Sequence, residues 1–152
     1  MEKPKFVYVT YIRTTPEKLW QALTEPEFTR KYFCGTWQES KWKVGSPWCI
    51  MIPDGRVADS GEVLEIDPPR RLVLSWRNEF KPEMRAEGYS RMTYELEKAG
   101  DSVKLTVIHE MDKPGTKFLE SVSNGWPLVL ASLKSLLETG ESLVETREWI
   151  CE

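Results

Sequence analysis

Hydrophobic and polar residues alternate along much of this chain, a pattern typical of β-strands with one buried and one wet face. Residues 5–13, KFVYVTYIR, are rich in the β-branched and aromatic residues that favour a strand. The alternation is clearest where apolar Met92, Tyr94 and Leu96 interleave with polar neighbours. The pattern predicts six strands, at residues 5–13, 48–53, 56–66, 71–77, 89–97 and 103–110.

Two short helices are predicted directly after the first strand. In TTPEKLWQAL, Thr15 can cap a helix whose first position is Pro16. A second helix follows within EPEFTRKYF, with Phe28, Tyr32 and Phe33 on its apolar side. The next segment, WQESKWKVGSP, is predicted to be a loop because of its Gly, Ser and Pro content.

The longest predicted element is a C-terminal helix that Gly140 ends as a cap. Pro127 cannot donate a backbone hydrogen bond to the preceding turn, so we expect either a new helix beginning at Trp126 or a kink. The broad apolar stripe of this helix recurs at three- and four-residue steps. It consists of Leu119, Val122, Trp126, Val129, Leu130, Leu133, Leu136 and Leu137. Such a stripe has to be buried, and the concave face of the sheet is the surface available for it.

The order of these elements predicts an α+β fold, in which a curved six-stranded antiparallel sheet wraps around the long C-terminal helix. With 152 residues the chain is most simply one domain, over residues 1–140, followed by a C-terminal extension over residues 141–152. A twisted antiparallel sheet cannot stay flat. We therefore expect the helix to touch the sheet along part of its length and to leave a hollow where the two diverge.

Composition excludes several functional classes. The formal net charge of -3, with basic residues interleaved among acids, offers no electrostatic footprint for nucleic acid. No apolar run is long enough to span a membrane, and the charged start lacks a signal-peptide core, so we expect a cytoplasmic protein. Cys34, Cys49 and Cys151 are too few and too widely spaced for a disulfide framework or a zinc site. We expect reduced thiols, no metal and no cofactor.

The predicted hollow is the candidate ligand site. Trp76 and Trp126 either face each other across it as an aromatic wall or both fill the core. The Tyr94 hydroxyl is a candidate for holding the polar end of a ligand. The predicted ligand-binding residues are Leu72, Leu74, Trp76, Met92, Tyr94, Val107, His109, Trp126, Leu130 and Leu133.

His109 is the only histidine, and strict alternation of its strand points it inward. There it is either a proton donor or acceptor in the cavity or a hydrogen-bonded core residue. No recognised catalytic motif is present, so no catalytic residue is assigned. One hairpin carries several acidic residues, which a solvated surface explains: Asp54, Asp59, Glu62, Glu65 and Asp67. The loop with Trp37 and Trp42 is a lid, a protein-docking site or irregular surface packing.

Four segments resemble the helix-grip or START-like (SRPBCC) superfamily, and within it proteins similar to the activator of the ninety-kilodalton heat-shock chaperone ATPase. They are TTPEKLWQALTEPEFTRKYF, GEVLEIDPPRRLVLSW, LTVIHE and GWPLVLASLKSLLE. The resemblance covers roughly residues 5–139. It marks Trp20, Pro26, Gly61, Val63, Pro69, Leu72, Trp76, His109, Gly125 and Trp126. Pro127 and the tail ESLVETREWICE depart from the pattern.

The resemblance implies a helix-grip fold and a cavity for hydrophobic ligands, whereas activities in the superfamily diverge widely. The leading hypothesis is therefore non-enzymatic binding of a small hydrophobic molecule. One alternative is a chaperone-associated protein-interaction domain. Another is a cyclase or hydrolase that uses His109 with help from Tyr94. A homodimer is also conceivable, and Trp149 and Ile150 in the tail are candidates for docking, on the domain or on a partner.

Overall fold

The computed structural model describes residues 3–149. Its strands are β1 (Lys5–Ile12), β2 (Trp37–Ser40), β3 (Pro47–Met51), β4 (Val57–Asp67), β5 (Arg71–Asn78), β6 (Ser90–Ala99) and β7 (Ser102–Glu110). They form one antiparallel sheet in the order β1-β7-β6-β5-β4-β3-β2. The helices are α1 (Pro16–Thr24), α2 (Pro26–Tyr32), α3 (Pro82–Arg85) and α4 (Lys117–Thr139), and a 3-10 turn follows at Val144–Thr146. The predicted α+β helix-grip fold is confirmed.

The sheet has seven strands among the described residues instead of the predicted six. The additional strand is β2, because the predicted loop begins only after Ser40. β2 pairs with β3 from Trp37 opposite Met51 to Ser40 opposite Trp48. The prediction was wrong here since Gly45, Ser46 and Pro47, which indicated a loop, all come after Ser40. The backbone hydrogen bonds to β3 support the first half as a strand.

The helix ends follow from their capping residues. The Thr15 side chain accepts a hydrogen bond from the Lys18 amide at 3.2 Å, which confirms the predicted start of α1. Gly140 takes φ 87° after α4, and its amide donates to the Leu136 carbonyl, as expected for a C-terminal cap. The helix α4 runs unbroken through Pro127, so the alternative of a new helix beginning at Trp126 is wrong. Packing of the apolar stripe on both sides of Pro127 outweighs the lost backbone hydrogen bond.

The core lies between the concave face of the sheet and α4. Trp126, Val129, Leu130 and Leu133 of α4 are buried there. The other members of the predicted stripe pack against this core while remaining partly exposed: Leu119, Val122, Leu136 and Leu137. No helix in the described part of the chain is long and apolar enough to cross a membrane.

Gly61 allows β4 and β5 to approach closely in the middle of the sheet. A Cβ atom at this position would lie 1.8 Å from the carbonyl oxygen of Ser75. The indole Nε1 of Trp48 donates a hydrogen bond to the same carbonyl at 2.7 Å. No side chain fits at Gly61 without a shift of the backbone, so this glycine fixes how the strands carrying the candidate site meet.

The tail, defined here as residues 141–149, packs against the rest of the protein. The Thr146 and Ser132 hydroxyls are 2.6 Å apart, and the Leu143 amide donates to Ser132 Oγ at 3.0 Å. A Cβ atom at Gly35, which has φ +72°, would lie 3.1 Å from the amide nitrogen of Trp149. Trp149 therefore docks on the domain itself, while Ile150 lies outside the described residues.

Candidate functional site

A cavity of about 230 Å³ lies between the sheet, the first half of α4 and the tail. Aromatic rings dominate its wall: Phe33, Trp76, Phe118, Trp126 and Trp149. The polar residues on the wall are Cys34, Thr36, Asp59, Asn78 and Ser121. Such an apolar pocket with a few polar groups is typical of small-molecule sites, although it is smaller than the roughly 300–1,000 Å³ common for drug-sized ligands.

The ten predicted site residues fall into two groups. Trp76 and Trp126 line the cavity, with ring centroids 5.8 Å apart and nearly perpendicular planes. The other eight are buried at 1% exposure or less and do not border the cavity. These eight form the packed part of the interior: Leu72, Leu74, Met92, Tyr94, Val107, His109, Leu130 and Leu133. Whether any of the eight contacts a ligand stays a prediction.

Trp76 separates the packed part from the cavity. Its ring lies 5.2 Å from the His109 ring on one side, and its Nε1 donates to Asp59 Oδ2 at 2.8 Å on the other. The Trp48 ring packs against it at 4.7 Å. Held by these contacts, the Trp76 indole is a rigid wall, because its ring and its N–H are both engaged.

His109 is fully buried, and both of its ring nitrogens have partners. Trp126 Nε1 donates to Nδ1 at 3.2 Å, so Nδ1 is the acceptor nitrogen. Nε2 lies 2.7 Å from Ser90 Oγ, and Ser90 donates in turn to the Trp76 carbonyl at 2.9 Å. Because Ser90 uses its own proton on the Trp76 carbonyl, the proton between Ser90 and His109 belongs to Nε2 of His109. Burial lowers the pKa of His109 to about 3. His109 is therefore a neutral, hydrogen-bonded residue that the cavity does not reach.

Tyr94 also belongs to the packed part. Its ring meets the Trp126 ring edge to face at 5.9 Å, and burial raises the pKa of its hydroxyl. The hydroxyl is not on the cavity wall. Its predicted role in fixing the polar end of a ligand has no contact to support it in this structure.

Asp59 is the carboxyl group on the cavity wall. It lies on β4 opposite Ile50 of β3 and Asn78 of β5, with its carboxyl against the Trp76 indole. Burial raises the pKa of Asp59 to about 7, although the Trp76 hydrogen bond lowers it, and nearby Glu79 adds to the rise. The interpretation of Asp59 as part of a solvated hairpin was wrong. The remaining acids of that hairpin are exposed: Asp54, Glu62, Glu65 and Asp67.

The neighbouring carboxylate of Glu79, which acts electrostatically on Asp59, already has its own cationic partners. Glu79 accepts hydrogen bonds from Arg77 Nε at 2.7 Å and Ser60 Oγ at 2.8 Å, and Arg85 Nε lies 3.1 Å away. Burial acts to raise the pKa of Glu79, but these partners lower it. The two arginines are thus paired with Glu79, and Asp59 has no ion pair within residues 3–149.

Strand parity is the signal that could have revealed Asp59. Counting in twos along β4 places Asp59, Gly61 and Val63 on one face, and Val63 is fully buried. A carboxylate in phase with a core valine points inward. Three further cavity residues were not predicted as such: Phe33 was assigned only to the apolar side of the second helix, Trp149 only to docking, and Phe118 to no role.

Trp37 and Trp42 do not border the cavity. The Trp37 Nε1 donates to Glu39 at 2.7 Å, and the Arg30 guanidinium lies 4.1 Å from its ring. Trp42 packs partly against the core with φ 54°. None of these contacts tests whether the loop is a lid or a docking site, so both roles stay predictions.

Cys34 and Cys49 are free thiols, and Cys151 lies outside the described residues. Cys34 borders the cavity, and burial raises the pKa of its thiol. Within residues 3–149, no three His, Cys, Asp or Glu side chains come together as metal ligands would.

A model of the family described as Activator of Hsp90 ATPase homolog 1-like protein matches residues 13–138. No curated protein matches the chain. Protein MLL2253 from Mesorhizobium loti is similar in structure, with 26% sequence identity and a TM-score of 0.75 over 89% of this chain and 97% of its own.

Two further structures have the same fold. PFC0360w, described as an HSP90 activator from Plasmodium falciparum, has 25% identity and a TM-score of 0.70, covering 88% of this chain and 95% of its own. The Aha1 dimer from Colwellia psychrerythraea has 20% identity and a TM-score of 0.72, covering 91% of this chain and 99% of its own. At 20% identity the last likeness concerns the fold alone.

Proposed function

This chain belongs to the family of Activator of Hsp90 ATPase homolog 1-like proteins, and from that premise we propose that it binds a small hydrophobic molecule without chemical conversion. The observation that carries the proposal is the cavity of about 230 Å³ with five aromatic rings on its wall. Burying apolar ligand surface against such rings stabilises a complex by about 25 cal/mol per Å². The binding site in this proposal is the cavity wall, with Trp76 and Trp126 as its fixed members.

The tail contributes to the same site. Trp149 borders the cavity and meets Phe80 edge to face at 5.6 Å. Its Nε1 is buried without a hydrogen-bond partner within residues 3–149. A buried donor without a partner is unfavourable, so an acceptor on a bound molecule would stabilise this position.

A cavity-filling variant tests the proposal. Propylbenzene is titrated into the wild-type protein and into Val122→Phe, and binding is followed by saturation-transfer NMR of the ligand. Val122 lines the cavity, so the larger side chain is expected to abolish the signal while the protein stays folded. Leu128→Phe is the matched control, because Leu128 is 43% exposed on the same helix and does not border the cavity. Equal binding to all three proteins would refute the proposal.

An interaction with the Hsp90 chaperone is the second candidate function. It is supported by the family and by the likeness to PFC0360w, which is described as an HSP90 activator. The test compares the ATPase rate of the chaperone with and without this protein. An accelerated rate that Val122→Phe leaves intact would indicate a protein-interaction function independent of the cavity, and an unchanged rate would remove this candidate.

A cyclase or hydrolase that uses His109 has no contact to support it, since His109 does not reach the cavity. Homodimer formation stays a prediction, with one dimer among the similar structures in its favour. The outer face of the edge strand β1 exposes Val7, Val9 and Tyr11 by 44–52%, and light scattering of the purified protein tests the oligomeric state. The cytoplasmic location and the absence of a cofactor also stay predictions.

A further inference from the structure

Asp59 is an anomaly in a cavity wall that is mostly apolar and otherwise uncharged within the described residues. It is the only acidic or basic residue among the described residues that line the cavity. Its Oδ2 accepts the Trp76 indole N–H at 2.8 Å, and no described residue donates to Oδ1. A carboxylate in surroundings of low polarity is unfavourable unless a cation or several donors compensate it.

The described part of the chain supplies no cation for this carboxylate. Arg77 and Arg85 are paired with Glu79, and no lysine or arginine of residues 3–149 borders the cavity. The indole rings of Trp76, Trp126 and Trp149 stand on the same wall. Aromatic faces attract cations, with about 2 kcal/mol or more where the cation is desolvated. A carboxylate beside several indoles is thus complementary to a positive charge on an apolar body.

We propose that the cavity selects small apolar amines, with the ammonium group bound by Asp59 and the apolar body held among the indole rings. This inference rests on the proposed function, because it names the chemical class of the hydrophobic ligand. A cationic ammonium group donates to the open Oδ1 and keeps Asp59 ionised. The pKa of about 7 that burial gives Asp59 agrees with a carboxyl that lacks its counter-ion. The volume of about 230 Å³ restricts the ligand to small amines.

Three probes of nearly equal shape separate charge from apolar burial: 2-phenylethylamine, 2-phenylethanol and propylbenzene. Their dissociation constants are measured by isothermal titration calorimetry at pH 7.5 for the wild-type protein, Asp59→Asn and Glu62→Gln. The asparagine retains an oxygen for the Trp76 N–H, so Asp59→Asn is expected to fold, which circular dichroism checks. Glu62→Gln is the matched control, because it removes the same charge from the same strand at an exposed position.

The amine is expected to bind the wild-type protein at least tenfold more tightly than the alcohol. Asp59→Asn is expected to remove this preference, because it weakens binding of the amine at least tenfold and binding of the alcohol less than twofold. Glu62→Gln is expected to change neither affinity. If amine and alcohol bind the wild-type protein equally, or if both variants act alike on the amine, the inference is overturned while the proposed function stands. If none of the three probes binds, the proposed function fails together with the inference.

Discussion

His109 and Asp59 occupy the same inner face of the sheet on opposite sides of Trp76, yet their surroundings differ. In the packed part, His109 has a partner on each ring nitrogen and no cavity beside it. At the cavity, Asp59 has one partner on one oxygen and open space beyond it. His109 stands out in the sequence because it is the only histidine, whereas Asp59 stands out in the structure because one of its carboxyl oxygens has no hydrogen-bond donor within the described residues. A polar residue whose donors and acceptors all have partners within the protein has no free hydrogen-bonding group for a ligand.

The largest expected effect comes from breaking the strand that carries Asp59. Gly61→Ala places a Cβ 1.8 Å from the Ser75 carbonyl oxygen, so β4 and β5 must separate. We expect the free energy of unfolding to fall by about 4 kcal/mol or more, or the protein not to fold. Urea denaturation followed by circular dichroism measures the change.

Gly55→Ala is the control for this prediction. Gly55 has φ 92°, and no neighbouring atom lies within 4 Å of the place that a Cβ would take, so only backbone strain is added there. A cost of about 1 kcal/mol is expected. Equal costs at Gly55 and Gly61 would show that the close approach of the strands is not what matters.

Truncations on the two sides of Trp76 compare the packed part with the cavity. Leu74→Ala removes a fully buried side chain from close packing and is expected to lower the free energy of unfolding by about 3 kcal/mol. Val122→Ala enlarges a space that already exists, and a cost below about 1 kcal/mol is expected. Urea denaturation provides both values. Similar costs would contradict the distinction between a filled and an unfilled region.

The two titratable groups are expected to give stability curves of opposite slope. Asp59 has a folded pKa of about 7 against an ordinary value of 3.8, so between these values only the folded state holds the proton. Its contribution to stability is present at low pH and is lost as the pH rises through 7. His109 has a folded pKa of about 3 against an ordinary value of 6.5, so between these values only the unfolded state binds the proton. Its contribution is present at neutral pH and is lost as the pH falls toward 3.

Single variants isolate the two slopes. Relative to the wild-type protein, Asp59→Asn is expected to gain on the order of 2 kcal/mol between pH 4 and pH 7, after allowance for the water that reaches this partly exposed carboxyl. His109→Phe is expected to lose stability relative to the wild-type protein as the pH rises over the same range. Urea midpoints at several pH values measure both trends. The titration of the other carboxylates is common to the variant and the wild-type protein, so it cancels in their difference. Curves parallel to that of the wild-type protein would contradict the assignment.

A small effect is also expected in the tail. Trp149→Ala removes a partly exposed ring from the cavity wall, and the free energy of unfolding is expected to fall by only about 1 kcal/mol. Propylbenzene is expected to bind several-fold more weakly, since one apolar wall is gone. Calorimetric titration of the two proteins gives the ratio. An unchanged affinity would show that the tail is not part of the site.

Most of the architecture follows from local patterns. The alternation in β6 and β7, the Thr15 cap and the apolar stripe of α4 each reflect interactions within one element, so the sequence could predict them. β2 could not be predicted, because only its pairing with β3 distinguishes it from a loop. For Trp76 and Trp126 the sequence left two alternatives open, an aromatic wall or core filling, and the structure places both rings on the cavity wall.

The cavity wall was harder to predict, because it is assembled where elements end. Phe33 follows α2, Phe118 lies in the first turn of α4, and Trp149 comes from the tail, so no single pattern connects them. Asp59 was hidden among the exposed acids of its hairpin. Counting in twos back from Val63 along β4 indicates its inward direction, but its place beside the cavity depends on the register with β3 and β5, which only the assembled sheet displays.

Three indole N–H groups in this interior donate to three chemically different acceptors: Trp48 to a carbonyl, Trp76 to a carboxyl and Trp126 to an imidazole. Proton chemical shifts respond strongly to the acceptor, so these groups are built-in spectroscopic reporters. In a ¹⁵N-labelled sample, the Trp76 indole resonance is expected to move with the charge of Asp59 while the Trp48 resonance stays in place. One spectrum would therefore reveal whether ligand binding or a change of charge at the cavity also alters the neighbouring core.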